Sequence, residues 1–283
     1  MGGSVALVAQ RSALPPSIQH SRRGAMATVE TVLQGFGIRT DEGSIAFCGV
    51  TLVRDGSRNF LVDVGHVGRR TLLLQRLRER GLEPTDIHGV VLTHAHWDHC
   101  LNVDLFPNAT LYLSAAEHEY VRQPHPADWA TPVWTAAVLD RHPIVETREG
   151  DEIAAGVRIM ATPGHSPGSQ TVLVQSEQGI IGIVGDALPS SASIAAGCPY
   201  LVFWSEEEAR RSLRRIVDTC TLVYPGHDRA FRIHNGRFTY AESTRITFLN
   251  LPDTPDGGIG ATFAVTPPRA VVPSAQRTGT AAD

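Results

Sequence analysis

The stretch that decides the fold is His88-Gly89-Val90-Val91-Leu92-Thr93-His94-Ala95-His96-Trp97-Asp98-His99, a short apolar run followed by four metal-ligand types within six residues. On a loop that leaves a strand end, this spacing directs His94 and His96 to one ion and turns Asp98 and His99 toward a neighbouring one. Imidazole and carboxylate ligands without a thiolate favour Zn²⁺, with Mn, Co and Fe(II) as alternatives. Burying such a cluster without a cation would cost desolvation free energy that nothing offsets. The stretch therefore predicts a metal-binding loop.

Three further segments place ligand types directly after apolar runs. His165 lies in the Pro/Gly turn Thr162-Pro163-Gly164-His165-Ser166-Pro167-Gly168. Gly185-Asp186 follows the run Ile180 to Val184, and Pro225-Gly226-His227 follows the run Thr221 to Tyr224. Each pattern alone is common in turns. Their recurrence at predicted strand ends indicates that they belong to one site.

The remaining pattern mixes strands and helices. Val50–Val53 and Phe60–Asp63 predict a hairpin, and Thr110–Leu113, Arg158–Ala161 and Thr171–Val174 predict further strands. Arg69 to Arg80 predicts a helix with Leu72, Leu73 and Leu77 on one side, and Ser205 to Thr219 predicts a helix capped by Ser205. Helices and strands in this mixture are typical of the α/β class, with sheets packed between helices.

Composition narrows the class of protein. The chain has 283 residues, and 42% of them are hydrophobic, which is enough for a substantial core. Its formal net charge of -4 disfavours a nucleic-acid partner. All 25 basic residues are Arg, so chemistry that needs a lysine amine is excluded. The four cysteines form no CxxC pair, which favours a reduced, cytoplasmic setting, and no apolar run reaches the ~20 residues of a membrane span.

The two chain ends differ from the body in composition. We expect residues 1–28 to form a flexible leader, residues 29–250 the folded domain, and the Pro-, Ala-, Thr- and Ser-rich residues 251–283 a disordered tail. Translation from Met26 instead of Met1 is an alternative start.

Across residues 32–235, the ordered set His94, His96, Asp98, His99, His165, Asp186 and His227 resembles the metallo-β-lactamase superfamily of hydrolases. The resemblance implies a four-layer αβ/βα sandwich with two divalent metal ions, zinc first. It implies that His94, His96 and His165 hold one ion, that Asp98, His99 and His227 hold the other, and that Asp186 bridges them. Asp63 matches the aspartate that orients a metal-bound histidine in this family.

The same resemblance implies the reaction. A hydroxide shared by the two ions would attack a carbonyl or phosphoryl centre, and Asp98 would hold its proton and pass it to the leaving group.

Within the superfamily several branches remain open. A true β-lactamase is disfavoured because those enzymes lack the aspartate that Asp186 supplies. Leu105 to Tyr112, followed by Glu117 and Tyr120, resembles the N-acyl-homoserine lactonase branch, so a lactone is the first substrate class and a thioester of the glyoxalase II-like branch is the second. Against the lactonase, Pro189 stands where many of those enzymes carry a tyrosine, and Leu101 where they carry a glycine.

Three alternatives stand beside these branches. Pro225-Gly226-His227 with Phe231-Arg232 resembles metallo-β-lactamase domain-containing protein 1, a phosphodiesterase- or nuclease-like relative. Gly185-Asp186-Ala187-Leu188 resembles the mono-iron persulfide dioxygenases, although the arginine-centred stretch expected after it is missing. A non-catalytic metal-binding protein is the third alternative, disfavoured because every ligand position is intact.

The substrate-binding candidates lie in two segments that flank the metal motifs. Trp129 and Trp134 belong to the irregular insert Gln123 to Pro143, and Tyr200 and Phe203 follow the bridging aspartate. Aromatic walls are typical of pockets for small molecules, but anchoring the insert to the domain is an equally good interpretation of the tryptophans. We expect Trp97 to pack the loop beneath the metals and Cys100 to be a small buried residue.

Overall fold

The structure is a computed structural model that describes residues 26–40, 43–235, 237–243 and 246–247. The predicted tail 251–283 lies outside the described residues. So does the predicted leader 1–28, except for residues 26–28, where the first strand already begins at Thr28.

The described residues form fifteen strands and six α-helices. The strands are β1 (Thr28–Leu33), β2 (Phe36–Thr40), β3 (Gly43–Phe47), β4 (Val50–Asp55), β5 (Arg58–Val62), β6 (Gly89–Val91), β7 (Thr110–Ser114), β8 (Ile144–Thr147), β9 (Glu152–Ala154), β10 (Val157–Ala161), β11 (Gln170–Ser176), β12 (Gly179–Gly185), β13 (Leu222–Pro225), β14 (Phe231–His234) and β15 (Arg237–Tyr240). The helices are α1 (Arg70–Arg78), α2 (Trp97–Cys100), α3 (Ala115–Tyr120), α4 (Thr135–Leu139), α5 (Ala192–Ala196) and α6 (Glu206–Thr219).

Two large sheets carry the architecture. The first has the order β1-β4-β5-β6-β7-β8, the second has the order β15-β14-β13-β12-β11-β10-β9, and β2 and β3 pair separately as a hairpin. In the first sheet β5, β6, β7 and β8 are parallel, and in the second β13 runs parallel to β12. Because β10 and β12 are both antiparallel to β11, strands β10, β12 and β13 all end at the same edge.

Three apolar clusters separate four layers. Val62 and Val91 of the first sheet pack against Ile159 and Val172 of the second, which forms the core between the sheets. Leu73 and Leu77 of α1 cover the outer face of the first sheet, and Leu213 and Ile216 of α6 cover the second. This arrangement confirms the predicted α/β class and the four-layer sandwich.

The predicted hairpin and strands are confirmed within one or two residues at their ends. Ser205 caps α6 as expected, because its hydroxyl accepts a hydrogen bond from the Glu208 amide.

Two local expectations were wrong. Leu72 is 37% exposed, because only residues three or four apart share a helix face and Leu73 and Leu77 occupy the buried one. The insert Gln123 to Pro143 is not wholly irregular, since it contains α4, which buries Thr135 and Leu139.

All four cysteines are buried and carry free thiols. Cys100 is 1% exposed, which confirms its interpretation as a small buried residue. In the described ranges of the chain, no helix combines the length and the apolar character that crossing a membrane requires.

Candidate metal centre

The ligand-type residues leave strand ends at one edge of the sandwich. The loop that begins at Thr93 follows β6, and Asp63 follows the neighbouring parallel strand β5. In the second sheet, His165 follows β10, Asp186 follows β12 and His227 follows β13. Parallel strands bring their carboxyl ends to one edge, which explains why residues more than 130 positions apart in the sequence meet there.

The seven predicted ligands come together in the structure, and each is at most 7% exposed. One group of ligand atoms, all within 4.8 Å of one another, comes from His94, His96 and His165. In it, His96 Nδ1 lies 2.9 Å from His165 Nε2. A second group with the same spread comes from Asp98, His99 and His227, in which His227 Nε2 lies 3.4 Å from Asp98 Oδ2.

Asp186 lies between the two groups. Its Oδ2 is 3.5 Å from His165 Nε2 of the first group and 3.2 Å from His227 Nε2 of the second, and its Oδ1 is 3.6 Å from His99 Nε2. The carboxylate thus faces both groups. Gly226 makes this position possible, because a Cβ there would stand 2.0 Å from Asp186 Oδ1.

The donor set fits metal ions. Several buried ligand atoms have no hydrogen-bond partner among the described residues, namely Nε2 of His94, Nε2 of His99 and Oδ1 of Asp186. Burial lowers the pKa of His165 to about 4 and that of His94 well below its ordinary value, which keeps both imidazoles neutral and their lone pairs available. Unpartnered buried groups are costly in a folded protein unless a ligand satisfies them.

Asp63 supports both halves of the loop that follows β6. Its carboxylate accepts hydrogen bonds of 2.8 Å from the Thr93 amide and the Thr93 hydroxyl, and it lies 2.8 Å from His99 Nδ1. With Nδ1 engaged in this way, Nε2 of His99 faces the candidate metal cluster. The backbone of Asp63 is left-handed, with φ of 58°, a conformation that aspartate and asparagine tolerate better than most residues.

The segment after α5 is tied to His165. Leu201 offers its carbonyl oxygen to His165 Nδ1 at 2.5 Å, and the Phe203 amide donates to the His165 carbonyl at 3.0 Å. His165 therefore keeps Nε2 toward the cluster, and the segment that carries Tyr200 and Phe203 is held beside it.

The four substrate-binding candidates reach different positions. Phe203 is 3% exposed, and its ring lies 5.1 Å from that of His96 and 5.6 Å from that of His165. Trp129, 55% exposed, packs its ring 5.6 Å from Phe203, so it borders the metal cluster. Trp134 is 46% exposed at the start of α4, and among the described residues it makes no ring contact with the site.

Tyr200 is partly buried and borders the second ligand group. A Cβ on Gly37 would lie 3.2 Å from the Tyr200 hydroxyl and 3.6 Å from His227 Cβ, so phenol and imidazole flank the same glycine. Burial raises the pKa of Tyr200, and the carboxylates of Asp186 and Asp98 raise it further, so the phenol stays protonated. Within the described part of the chain this hydroxyl has no hydrogen-bond partner.

Aromatic rings link the loop after β6 to the hairpin of β2 and β3. Trp97 is partly buried against the cluster of Ala130 and Phe203, and its ring lies 4.8 Å from that of His66. His66 in turn lies 5.6 Å from Phe47 of β3. No sequence pattern pointed to this hairpin as a neighbour of the site, because its apolar residues resemble those of any strand.

Two buried carboxylates contact the site without having been predicted to do so, although Glu117 belongs to the segment that resembles the lactonase branch. Glu117 accepts hydrogen bonds from the Ala95 amide, the Ser166 hydroxyl and the Gly168 amide, which joins the loop after β6 to the loop that carries His165. Asp128, in the insert, has its Oδ1 3.4 Å from His96 Nε2. In the sequence Asp128 is a single aspartate before a tryptophan, and aspartate is common in turns, so nothing marked it as a residue of the site.

Comparison with known proteins agrees with this geometry. Residues 46–227 match the model of the family described as metallo-beta-lactamase superfamily. The chain is 28% identical over 160 residues to the N-acyl homoserine lactonase of Bacillus cereus, covering 54% of this chain and 60% of that protein. It is 31% identical over 186 residues to metallo-beta-lactamase domain-containing protein 1 of Rattus norvegicus, covering 61% of this chain and 62% of the relative. The match thus spans about three fifths of the length of each.

A solved structure shares the fold. The structure described as AidC, a dizinc quorum-quenching lactonase, in complex with a product, superposes with a TM-score of 0.57 at 17% sequence identity. The superposition covers 73% of this chain and 83% of that one.

Proposed function

The chain belongs to the metallo-β-lactamase superfamily, and from that premise we propose that it is a hydrolase with two divalent metal ions, zinc first, that cleaves a small ester-type substrate. The observation that carries the proposal is the convergence of seven buried ligand-type side chains, among which Nε2 of His94, Nε2 of His99 and Oδ1 of Asp186 have no hydrogen-bond partner in the described structure. A lactone is the first substrate class, and a thioester is the second.

The ligand assignment follows the two groups of atoms. His94, His96 and His165 would hold one ion, Asp98, His99 and His227 the other, and Asp186 would contact both. When bound, such a pair supplies Lewis-acid chemistry and lowers the pKa of a shared water toward about 7.

Asp98 is the proposed proton carrier. Its carboxylate is 6% exposed and its Oδ2 lies 3.4 Å from His227 Nε2 and 3.9 Å from His99 Nε2. It thereby lies beside the two histidines with which it would hold the second ion. A carboxylate there can accept the proton of an attacking water and return it to the leaving alcohol or thiol.

Tyr200 is the proposed donor to the substrate. Pro189 occupies the position at which many lactonases of the resembled branch carry a tyrosine. The Tyr200 phenol stays protonated, has no partner in the described chain, and borders His227 across Gly37. A hydrogen bond from this hydroxyl to the carbonyl oxygen would stabilise the charge that develops during hydrolysis.

The experiment combines metal analysis with a substrate panel. Purified protein should contain close to two zinc ions per chain, and its activity should be compared on an acyl-homoserine lactone, S-lactoylglutathione and bis(p-nitrophenyl) phosphate. Asp98→Asn should lose activity on the best substrate, whereas Asp104→Asn, which removes an exposed carboxylate paired with Arg70, should keep it. Full activity of Asp98→Asn would refute the mechanism, and one iron per chain would favour the dioxygenase.

A phosphodiesterase is the second candidate function. It is favoured by the 31% identity to metallo-beta-lactamase domain-containing protein 1 and by the resemblance of Pro225-Gly226-His227 with Phe231-Arg232 to that protein. Preference for bis(p-nitrophenyl) phosphate over both acyl substrates would support it.

A further inference from the structure

The insert Gln123 to Pro143 contacts the candidate metal centre with the carboxylate of Asp128. Asp128 lies in this insert with a side chain that has no exposed surface, and its Oδ1 is 3.4 Å from Nε2 of His96, whose own side chain is 3% exposed. A carboxylate this deeply buried needs several donors or a cationic partner.

Local hydrogen bonds fix the orientation of Asp128. Its Oδ1 accepts from the amides of Ala130 and Thr131 at 3.0 and 3.2 Å. Its Oδ2 accepts from the Thr131 hydroxyl at 2.8 Å and from the Tyr120 hydroxyl at 2.9 Å. Four donors thus hold the carboxylate in one rotamer, with Oδ1 turned toward His96.

The two nitrogens of His96 have different surroundings. Nδ1 lies 2.9 Å from His165 Nε2, inside the candidate metal cluster. Nε2 points the other way and has no hydrogen-bond partner in the described structure, and Asp128 Oδ1, 3.4 Å away, is the acceptor that faces it. If Nδ1 binds a cation, Nε2 must carry the ring proton, and a carboxylate is the acceptor that best stabilises an imidazole in that state.

The main chain fastens the same segment to the metal loop. The Trp97 amide, one residue after His96, donates to the Ala130 carbonyl at 3.0 Å. Ala130 also packs with Trp97 and Phe203 in one apolar cluster. The insert is therefore held against the metal loop at two consecutive residues, at Trp97 by Ala130 and at His96 by Asp128.

From this geometry we infer that Asp128 is a positioning residue of the metal centre, which accepts the Nε2 proton of His96 and orients its Nδ1 toward the metal. The inference rests on the proposed metal centre. It makes the insert part of the metal site, so that metal binding and the docking of the insert that carries Trp129 stabilise each other.

The test is a matched pair of substitutions. Asp128→Asn keeps an oxygen acceptor for the Ala130 and Thr131 amides and removes the charge, so metal affinity measured by chelator competition should fall about 10- to 100-fold. Asp140→Asn makes the same change in the same insert at a carboxylate that is 41% exposed and paired with Arg122, and it should leave metal affinity unchanged. Wild-type metal affinity in Asp128→Asn would overturn the inference.

A second measurement needs no variant. In the zinc-loaded wild-type protein, NMR of ¹⁵N-labelled histidine should show a solvent-protected Nε2 proton on His96, identified by its proximity to the amide protons of Ala130 and Thr131. Absence of that protected proton would overturn the inference even if Asp128→Asn did not fold. Wild-type protein that takes up no metal would instead refute the proposed function itself.

Discussion

The metal centre and the segments that cover it differ in how firmly the fold holds them. Each of the seven ligand-type residues is at most 7% exposed and follows a strand end of one of the two sheets. The segments that cover the metal centre are longer connections, namely the insert Gln123 to Pro143 and the segment that carries Tyr200 and Phe203, and together we call them the cover. In the insert, Trp129 and Trp134 are 55% and 46% exposed. We call the strand ends that carry the seven ligand-type residues the frame. The register of each sheet fixes their positions, because a shift of one residue would turn every side chain of a strand to the opposite face.

This difference separates the reaction from the substrate. The buried frame sets which atoms surround the proposed metals and therefore the class of chemistry. The exposed cover sets what fits above them, and it can change without disturbing the sheets. Phe203 belongs to both regions, because it is buried against His96 and His165 and also contacts Trp129.

The strongest test of the frame is Gly226→Ala. A Cβ at this position would stand 2.0 Å from Asp186 Oδ1 and 3.0 Å from the carbonyl of Gly185, and the Gly185 contact is with backbone that no rotamer change can move. Displacing Asp186 by an ångström should lower kcat by about 100-fold or more and reduce the zinc content per chain. Gly49→Ala is the control, because its Cβ would meet the Pro225 carbonyl at an ordinary 3.4 Å. Equal activity of both variants would show that Asp186 is not held as described.

Asp63→Asn should have the next largest effect. Asparagine tolerates the left-handed backbone but offers one acceptor oxygen where Asp63 offers two to Thr93 and His99. We expect metal affinity to fall about 10- to 100-fold, with the loss in the ion that His99 binds. Co²⁺ titration followed by absorption measures this, with Asp55→Asn at the tip of the hairpin of β4 and β5 as control. Unchanged Co²⁺ binding would mean that Asp63 serves only the turn after β5.

These two predictions concern the part of the molecule that the sequence made visible. The seven proposed ligands could be predicted because each follows an apolar run at a predicted strand end, and strand ends meet at a sheet edge. The α/β class followed from the mixture of strands and helices, whereas the four-layer sandwich was implied by the resemblance to the metallo-β-lactamase superfamily.

The supporting contacts were not predictable in the same way. Asp128 and Glu117 reach the site through tertiary packing of the insert and of α3, and neither has a local pattern that indicates a contact with the metal ligands. Leu72 was assigned to the buried side of α1 from its apolar character alone, whereas the geometry of the helix gives that side to Leu73 and Leu77. The four substrate candidates were chosen as aromatic residues near the metal motifs, and proximity in sequence did not distinguish Trp129 from Trp134.

Trp129→Ala and Trp134→Ala test the cover directly. Trp129 contacts Phe203 beside the cluster, whereas Trp134 lies at the start of α4. On the best acyl substrate, Trp129→Ala should raise KM about five- to tenfold with little change in kcat, because one aromatic contact contributes about 1 kcal/mol. Trp134→Ala should leave both constants unchanged. If the two variants behaved alike, Trp129 would be an anchor of the insert and not part of the substrate site.

The smallest expected effect comes from Ser205→Ala, which tests whether the free energy of unfolding can fall while metal affinity and kcat stay unchanged. The Ser205 hydroxyl caps α6 by accepting from the Glu208 amide, so its loss should lower the free energy of unfolding by about 1 kcal/mol. The Ser205 amide, which donates to the Gly164 carbonyl at 2.9 Å next to His165, is retained in the variant. Metal affinity and kcat should therefore stay within twofold of wild type while urea denaturation shifts to a lower midpoint. A parallel loss of metal affinity would mean that the frame depends on the packing of α6 as well as on the strand ends.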